Sequence, residues 1–142
     1  MSEHSKAIAR RVFEELFTPS QLDAVDELFA ADYQDHDPVN EQDTRGPDGV
    51  RAEIAVYRAG SSDVCFTVED QLAEGDSVVT RWIARGTHDG ELFGVGPTGN
   101  PFEVHGITIH RLAGGRIQEG WWNWDALGLM GQIGAIPADQ TA

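Results

Sequence analysis

Residues 102–134 constrain the fold of this chain more than any other stretch. They read FEVHGITIHRLAGGRIQEGWWNWDALGLMGQIG, with apolar and polar residues alternating on both sides of Ala113-Gly114-Gly115. Alternation with a period of two is typical of strands, and a glycine-containing three-residue loop is a common hairpin connection. The stretch is therefore predicted to be a two-stranded hairpin followed by a short apolar segment at residues 126–130.

The length of the hairpin loop decides which side chains share a face. With a three-residue loop, Leu112 pairs with Arg116, and even-numbered residues of both strands point to one side. That side carries Val104, Gly106, Thr108, His110, Gly120, Trp122 and Trp124. The other side carries Glu103, His105, Ile107, Ile109, Ile117, Glu119, Trp121 and Asn123. Neither side is purely polar, so we expect helices to cover one and a second copy of the chain, in a homodimer, to cover the other.

The even-numbered face has the composition of a ligand cavity. Trp122 and Trp124 supply apolar walls for a flat molecule, and Thr108 and His110 supply polar groups that could orient it. Gly106 and Gly120 would leave room for the ligand beside these rings. The alternative is that the tryptophans belong to an ordinary core.

Two helices are predicted near the N-terminus. Residues 5–17 carry apolar side chains at helical spacing, and Pro19 ends this helix. Ser20 and Asp23 form a capping-box pattern before a second helix. The apolar stripes of the two helices are Ile8, Val12, Phe13, Leu16 and Phe17, and Leu22, Val25, Leu28 and Phe29.

The next 70 or so residues complete the order of elements. Residues 30–44 are polar and are predicted to be a loop, and a third helix runs from Gly46-Pro47 to Gly60. Strands follow at residues 64–68 and 77–87, and the glycine-rich segment 88–100 is predicted to be a flap. Three helices before four strands indicate an α+β fold with helices on one face of a curved antiparallel sheet. Residues 1–142 are expected to form a single domain.

The composition argues against several classes of partner. The chain has a formal net charge of −14, and its ten Lys and Arg residues are scattered, so neither a nucleic acid nor an anionic membrane surface is expected to bind it. No stretch approaches the roughly 20 apolar residues of a membrane span, and no signal-peptide core is present, so a cytoplasmic location is expected. The one cysteine, Cys65, excludes internal disulfides and cysteine metal sites and is expected to be a small buried hydrophobe.

Three residues are the main candidates for acid–base catalysis. His36 lies between Asp35 and Asp37, whose carboxylates could raise its basicity, although a loop histidine among acids is often only solvated. His110 lies on the proposed cavity face, where it could also be a core histidine. Asp125 follows the last strand and could either exchange protons or cap the segment after it. An interface role is expected for His105, and His88 is a weaker candidate.

Known cofactor and metal motifs are missing from the sequence. No HExxH, CxxC, P-loop or dinucleotide-binding glycine pattern occurs. A metal held by Asp35, His36 and Asp37 is not expected, because adjacent loop residues seldom converge on one ion. The sequence therefore favours chemistry without a tightly bound cofactor, or no chemistry.

From Thr87 onward the chain resembles the SnoaL-like polyketide cyclases. The shared elements are Thr87-His88, Gly90, Phe93-Gly94, Pro97-Thr98-Gly99, Gly106-Ile107, Arg111, Gly115, Ile117, Glu119 and Gln132-Ile133-Gly134. Upstream, the helices and the tyrosine-led segment 33–38 are similar more loosely. The resemblance implies a cystatin-like, nuclear-transport-factor-like α+β barrel around a hydrophobic cavity that binds an aromatic polyketide.

The resemblance also raises a question about the reaction. The acid–base aspartate and histidine of the family's cyclases fall on Trp122 and Thr108, which cannot perform the same proton transfers. Family hydroxylases lack that pair, so ring hydroxylation is favoured over aldol cyclisation, with a non-catalytic binding domain as a third possibility. Hydroxylation would need a substrate that activates oxygen itself, or reduced flavin from a separate reductase. The residues expected to contact the substrate are Tyr33, Asp35, Gly106, Thr108, Trp122, Asn123 and Trp124.

Overall fold

A computed structural model describes residues 2–17 and 22–136 of the chain. Within these residues it contains four helices and six strands. The helices are α1 (Ser2–Glu15), α2 (Ala24–Leu28), α3 (Gly46–Gly60) and α4 (Ala126–Gln132). The strands are β1 (Phe29–His36), β2 (Thr44–Arg45), β3 (Cys65–Glu74), β4 (Ser77–Thr87), β5 (Pro101–Ala113) and β6 (Arg116–Trp124).

The six strands form one mixed sheet in the order β2-β1-β6-β5-β4-β3. All neighbouring strands are antiparallel except β1 and β6, which are parallel. Helices α1 and α3 pack against the sheet, α1 mainly on β3 and β4 and α3 on β1. The predicted α+β class is confirmed, with the long strands of the hairpin near the middle of the sheet.

The prediction of a loop at residues 30–44 was wrong for its first half. Residues 29–36 form β1, which pairs with β6 through Gln34, Asp35 and His36. Asp and Asn are depleted in strands, so local composition argued for a loop. Pairing with β6 overrides that preference. The second predicted helix is accordingly shorter, because Phe29 already belongs to the strand.

Two helix boundaries can be compared with the prediction. The first helix begins at Ser2, three residues earlier than expected, and ends at Glu15. Helix α3 spans Gly46–Gly60 as predicted, with proline in its first turn. Pro19 and Ser20, which were expected to end one helix and cap the next, lie outside the described residues.

The hairpin turn contains two residues instead of three. Ala113 pairs with Arg116, and Gly114 and Gly115 both have positive φ, at 60° and 79°. Two consecutive positive φ angles suit a type I′ turn, which matches the twist of the strands. The register then shifts by one residue between Arg111 and Leu112, so Leu112 faces Ile117 while Arg111 faces Glu119.

This bulge keeps most of the predicted face pattern and changes one residue. Beyond it, Thr108 faces Trp122 and His110 faces Gly120, so the even-numbered residues share the buried side as expected. Ile117 was predicted on the opposite side, but it is fully buried, because a bulge re-aims the side chains next to it.

The outer face of the sheet is open in the single chain. Ile107 is 48% exposed and Ile109 is 39% exposed, and both lie on the odd-numbered side of β5. Cys65 is exposed as well, which contradicts its expected burial. It begins β3, where Phe66 and Val68, not Cys65, pack against the core.

In the described part of the chain, no helix is long and apolar enough to cross a bilayer. The cytoplasmic location expected from the sequence stays a prediction.

Candidate active site

An apolar cavity of about 110 Å³ lies between the helices and the buried face of the sheet. Aromatic rings from the strands and from α3 make up much of its wall. Its lining residues are Val12, Leu16, Phe17, Phe29, Tyr33, Asp35, Asp37, Val50, Glu53, Ile54, Tyr57, Val64, Phe66, Trp82, Ala84, Leu92, Phe102, Val104, Trp122, Trp124 and Leu129. A concave, mainly apolar pocket with a few polar groups is the usual form of a small-molecule site.

Asp35 and Tyr33 are the buried polar pair of this cavity. They lie two residues apart on β1, so both side chains point inward. The Tyr33 hydroxyl donates a hydrogen bond of 2.5 Å to Oδ1 of Asp35. Asp35 is only 5% exposed and Tyr33 only 2%. The cavity therefore contains a carboxyl group that is almost removed from water.

Burial changes the protonation of both groups. Desolvation raises the pKa of Asp35 to about 7, against a hydrogen bond from Tyr33 that lowers it and a nearby Glu53 carboxylate that raises it. Desolvation, followed by the charge of Asp35, raises the pKa of Tyr33 well above its ordinary value. Near neutral pH, Asp35 can therefore exist in either protonation state, while Tyr33 stays protonated and remains a donor.

The two inward-facing glycines do not leave empty space as the sequence suggested. A Cβ at Gly120 would lie 2.5 Å from Tyr33 Oη and 3.0 Å from Asp35 Oδ1. A Cβ at Gly106 would lie 2.2 Å from the ring of Trp82. Gly120 thus makes room for the acid–phenol pair and Gly106 for an indole, so the protein's own side chains occupy both spaces.

Thr108 holds that indole in place. The hydroxyl of Thr108 accepts a hydrogen bond of 2.9 Å from the Trp82 Nε1–H, and both residues are buried. Trp82 lines the cavity, while Thr108 and Gly106 lie behind it. Thr108 therefore acts on the cavity through Trp82 and not by direct contact.

The cavity lining contains two further carboxylates, Asp37 and Glu53, which are half-buried. Asp37 accepts a hydrogen bond of 3.0 Å from the Trp124 indole, and Glu53 accepts one from Asn40. The ring of Tyr57 stands nearly perpendicular to that of Trp124 at 6.2 Å. Among the described residues that line the cavity, the charged ones are all acidic, namely Asp35, Asp37 and Glu53.

Comparison with known proteins gives the family. The model for SnoaL-like polyketide cyclases matches residues 7–133 of this chain. The chain belongs to the SnoaL-like family. No curated protein matches the sequence.

Solved structures of other proteins share this fold. IdmH from Streptomyces antibioticus, a proposed polyketide cyclase, is 32% identical over 92% of this chain and 98% of its own, with a TM-score of 0.80. A proposed SnoaL-like polyketide cyclase from Jannaschia sp. CCS1 is 28% identical over 96% and 95%, with a TM-score of 0.87. AclR from Streptomyces galilaeus, a proposed hydroxylase, is 22% identical over 96% and 85%, with a TM-score of 0.84, which shows the shared fold alone.

The expected nuclear-transport-factor-like architecture is thus confirmed for this SnoaL-like protein. Of the residues expected to contact a substrate, the cavity lining includes Tyr33, Asp35, Trp122 and Trp124. Gly106 and Thr108 lie behind Trp82. Asn123 is exposed on the outer face, opposite Ile107, and lines a separate surface pocket.

None of the three residues expected to act as acid or base lines the cavity. His36 points to the outer face of β1, where it contacts Asp43 and Glu119. His110 is fully buried between Phe13 and Trp122, and burial lowers the pKa of its imidazole to about 3. Asp125 is exposed and accepts a hydrogen bond of 2.9 Å from the Gly128 amide, which is a helix-capping contact.

Two further histidines considered from the sequence, His88 and His105, also lie away from the cavity lining. His88 is buried at the base of the flap, where the Thr98 amide donates to its Nδ1 at 3.3 Å. His105 is exposed on the outer face of β5 beside Glu103.

Burial in the cavity makes Asp35 the leading acid–base candidate, whereas from the sequence it was expected only to contact the substrate. Asp35 and Tyr33 are separated by one residue, which on a strand puts both on one face. That signal was present in the segment Tyr33-Gln34-Asp35. It could not be used while the segment was predicted to be a loop, because loops have no fixed alternation.

A metal centre finds no support in the described residues, among which no group of three His, Cys, Asp or Glu side chains is arranged to hold an ion. Asp35 and His36 point to opposite faces of β1, since successive strand residues alternate. The expectation that residues 35–37 hold no metal stays a prediction.

Proposed function

We propose that this SnoaL-like protein catalyses an intramolecular aldol cyclisation of an aromatic polyketide, with Asp35 as acid and base. The observation that carries the proposal is the buried Asp35 carboxyl in an apolar cavity, with a pKa of about 7 and a hydrogen bond from Tyr33. A general base works best when its pKa lies near the working pH. Among the described lining residues, the other two carboxyl groups, those of Asp37 and Glu53, are only half-buried.

The proposed reaction needs two proton transfers. Asp35, as the carboxylate, takes a proton from a carbon flanked by carbonyl groups and leaves an enolate. The enolate carbon forms a bond to a ketone carbon of the same molecule, whose C=O π electrons move to oxygen. The protonated Asp35 then returns its proton to that alkoxide, so the carboxylate is regenerated and no oxidant is consumed.

The walls of the cavity support a flat, apolar substrate. Trp82, Trp122 and Trp124 all line it, and aromatic rings offer large faces for stacking. An apolar setting also makes the Asp35 carboxylate a stronger base towards such a carbon, because little water solvates its charge. Aromatic polyketides combine planar rings with acidic carbon centres.

Ring hydroxylation is the second candidate. It is favoured by Trp122 and Thr108, which occupy the positions of the cyclase acid–base pair and cannot transfer protons as that pair does. In this reaction Asp35 would deprotonate a phenol, and a ring carbon of the phenolate would bond to O2 to give a hydroperoxide. A two-electron donor such as reduced flavin from a separate reductase, with two protons, would then cleave the O–O bond to leave the hydroxyl group and release water. A flavin nucleotide fits this cavity poorly, because the charged lining residues are acidic and would repel its phosphate.

We also propose a homodimer formed through the outer face of the sheet. Ile107 and Ile109 lie side by side there, with Trp121 opposite Ile109 on the neighbouring strand. Contiguous exposed apolar residues on a protein surface often mark a protein–protein interaction site.

The reaction is tested with purified protein and an anthraquinone-type β-keto ester. Cyclisation gives a product of unchanged mass with a new retention time, and it proceeds under argon. Hydroxylation gives a product with one additional oxygen and stops under argon. Unaltered substrate, bound with measurable affinity, would support the non-catalytic alternative and contradict the proposal.

A further inference from the structure

His36 forms an unusual set of contacts on the outer face of the sheet. Its Nδ1 lies 2.9 Å from Oδ2 of Asp43, and its Nε2 lies 2.7 Å from Oε2 of Glu119. Its ring stacks on Trp121, with centroids 5.5 Å apart and planes at 26°. The imidazole is therefore fixed on both nitrogens and on one face.

These contacts determine the protonation state of the ring. Both nitrogens face carboxylate oxygens, and an ionised carboxylate only accepts hydrogen bonds. Both nitrogens must then donate, which makes His36 an imidazolium. The hydrogen bond with Glu119 is also the main reason why the pKa of His36 is raised.

Asp43 and Glu119 belong to different parts of the fold. Glu119 lies on β6 and also accepts a hydrogen bond of 3.0 Å from Arg111 on β5. Asp43 directly precedes β2 and also accepts one of 2.8 Å from Gln34 on β1. His36 thus connects the centre of the sheet to the far end of the segment 37–43, which we call the strap.

The strap carries residues that shape the cavity. Asp37, at one end, bonds the indole of Trp124, and Asn40, in its middle, bonds Glu53 on α3. Internal contacts are few: the Asn40 amide donates to the Asp37 carbonyl at 2.9 Å, and the Val39 amide donates to the Asp37 carboxylate at 3.0 Å. The far end of the strap is held by two side-chain contacts of Asp43, one with His36 and one with Gln34, and the contact with His36 is the charged one.

We propose that His36 is a positioning residue whose imidazolium joins the strap to β6, and that it thereby fixes Asp37, Trp124 and Glu53 around the ligand. The importance of these groups for catalysis rests on the proposed function. The link between His36 and the strap does not.

The charge on His36 makes the link dependent on pH. The groups that face the ring are Glu119 on β6 and Asp43 on the strap, with Arg111 on β5 behind Glu119. Since the pKa is raised above 6.5, the link is complete below that value and is lost as the pH rises through the raised pKa. When the ring loses one proton, the lone pair of that nitrogen faces a carboxylate oxygen, so the hydrogen bond at that nitrogen is lost.

Hydrogen exchange of the strap amides, without any substrate, tests this proposal. In the wild type we expect protection at residues 39–43 to fall by about tenfold from pH 6 to pH 9, after correction for the intrinsic exchange rate. His36→Gln should show the low protection at both values. His36→Lys keeps a charge that does not titrate in this range, so it should stay protected at pH 9. His105→Gln, on the same face and beside Glu103, is the matched control and should behave as the wild type.

A second measurement follows the cavity with the neutral dye N-phenyl-1-naphthylamine. His36→Gln should bind it several-fold more weakly than the wild type and His105→Gln. Amides of β4 report whether each variant is folded, and light scattering checks that the assembly state is unchanged. Equal strap protection in His36→Gln and wild type at pH 6, or equal dye affinity, would overturn the proposal. Failure of the cyclisation assay alone would leave it intact.

Discussion

Tyr33 and Asp35 form a hydrogen-bonded pair along one strand, and both side chains enter the cavity from β1. The phenol donates and the carboxyl accepts, so the hydrogen bond favours the charged form of Asp35 while burial disfavours it. Burial has the larger effect. The balance leaves a carboxyl group that can take up or release a proton near neutral pH.

Asp35→Asn should remove activity and increase stability. Loss of a positioned general base typically lowers turnover by about 10²–10⁴-fold. Between the ordinary pKa of 3.8 and the folded pKa of about 7, the native state holds a proton that the unfolded state lacks. Wild-type stability therefore falls as the pH rises through this window. Above pH 7 the variant should be more stable by up to about 4 kcal/mol.

Urea unfolding at pH 5 and pH 8 measures that difference. Asp32→Asn is the matched control, because Asp32 lies on the same strand but is exposed. It should change neither turnover nor the pH dependence of stability. An Asp35→Asn variant with normal turnover would show that Asp35 is not the base.

Tyr33→Phe should move the pH profile of the reaction. In the wild type, turnover should rise with pH with a midpoint of about 7, as Asp35 loses its proton. The variant lacks the hydrogen bond that stabilises the carboxylate, so the Asp35 pKa and the midpoint should both increase. Single-turnover rates between pH 5 and pH 9 give the two midpoints. A lower midpoint in the variant would contradict the assigned direction of the hydrogen bond.

Ligand binding should quench the tryptophans of the cavity. Trp122 and Trp124 line it, whereas Trp121 lies on the outer face against His36. Titration with an anthraquinone-type ketone should quench wild-type emission, and Trp122→Phe and Trp124→Phe should each reduce the change. Trp121→Phe should leave it as large as before. Equal quenching in all three variants would place the ligand elsewhere.

Gly120→Ala should disturb the acid–phenol pair by steric contact alone. The added methyl group would lie 2.5 Å from Tyr33 Oη, and Tyr33 is only 2% exposed to solvent. We expect a loss of about 1–3 kcal/mol in the free energy of unfolding and lower turnover. Gly96→Ala, where nothing lies within 4 Å, should stay within about 0.5 kcal/mol of wild type. Denaturant curves for both variants make the comparison.

The homodimer prediction is tested by light scattering at micromolar concentration. The wild type should show twice the chain mass of 15.5 kDa. Ile107→Lys and Ile109→Lys would put charges into the proposed interface and should give monomers. Val56→Lys, at an exposed position of α3, should remain dimeric. A monomeric wild type would rule out the sheet-to-sheet dimer under these conditions.

The fold could be predicted where the sequence alternates strongly. The hairpin, β4 and α3 were found because their apolar spacing is clear, and the inward face of β5 followed from parity alone. The turn length was mispredicted by one residue, and the compensating bulge at residue 118 restored the parity beyond it. A bulge of this kind has no reliable local signal, since it depends on how both strands meet the core.

The candidate site was harder to predict because Asp35 lies on β1, which has a polar sequence and is second from the edge of the sheet. The identity of Asp35 as a cavity residue depends on the parallel pairing of β1 with β6, which joins segments more than 80 residues apart. No local pattern records such a contact. His36, by contrast, looked catalytic because it is flanked by acids, yet alternation along β1 turns it away from the cavity.

Trp82 gives the cavity a depth that substitution could tune. Its indole occupies the space beside Gly106 and donates a hydrogen bond to Thr108. This part of the cavity wall is therefore one large side chain that packs on two small residues of β5. Replacing Trp82 by a smaller apolar residue would extend the cavity towards β5 and admit a longer ring system. The space beside Gly106 would then be empty, which would lower the stability of the protein. Substrate length and stability would therefore evolve together.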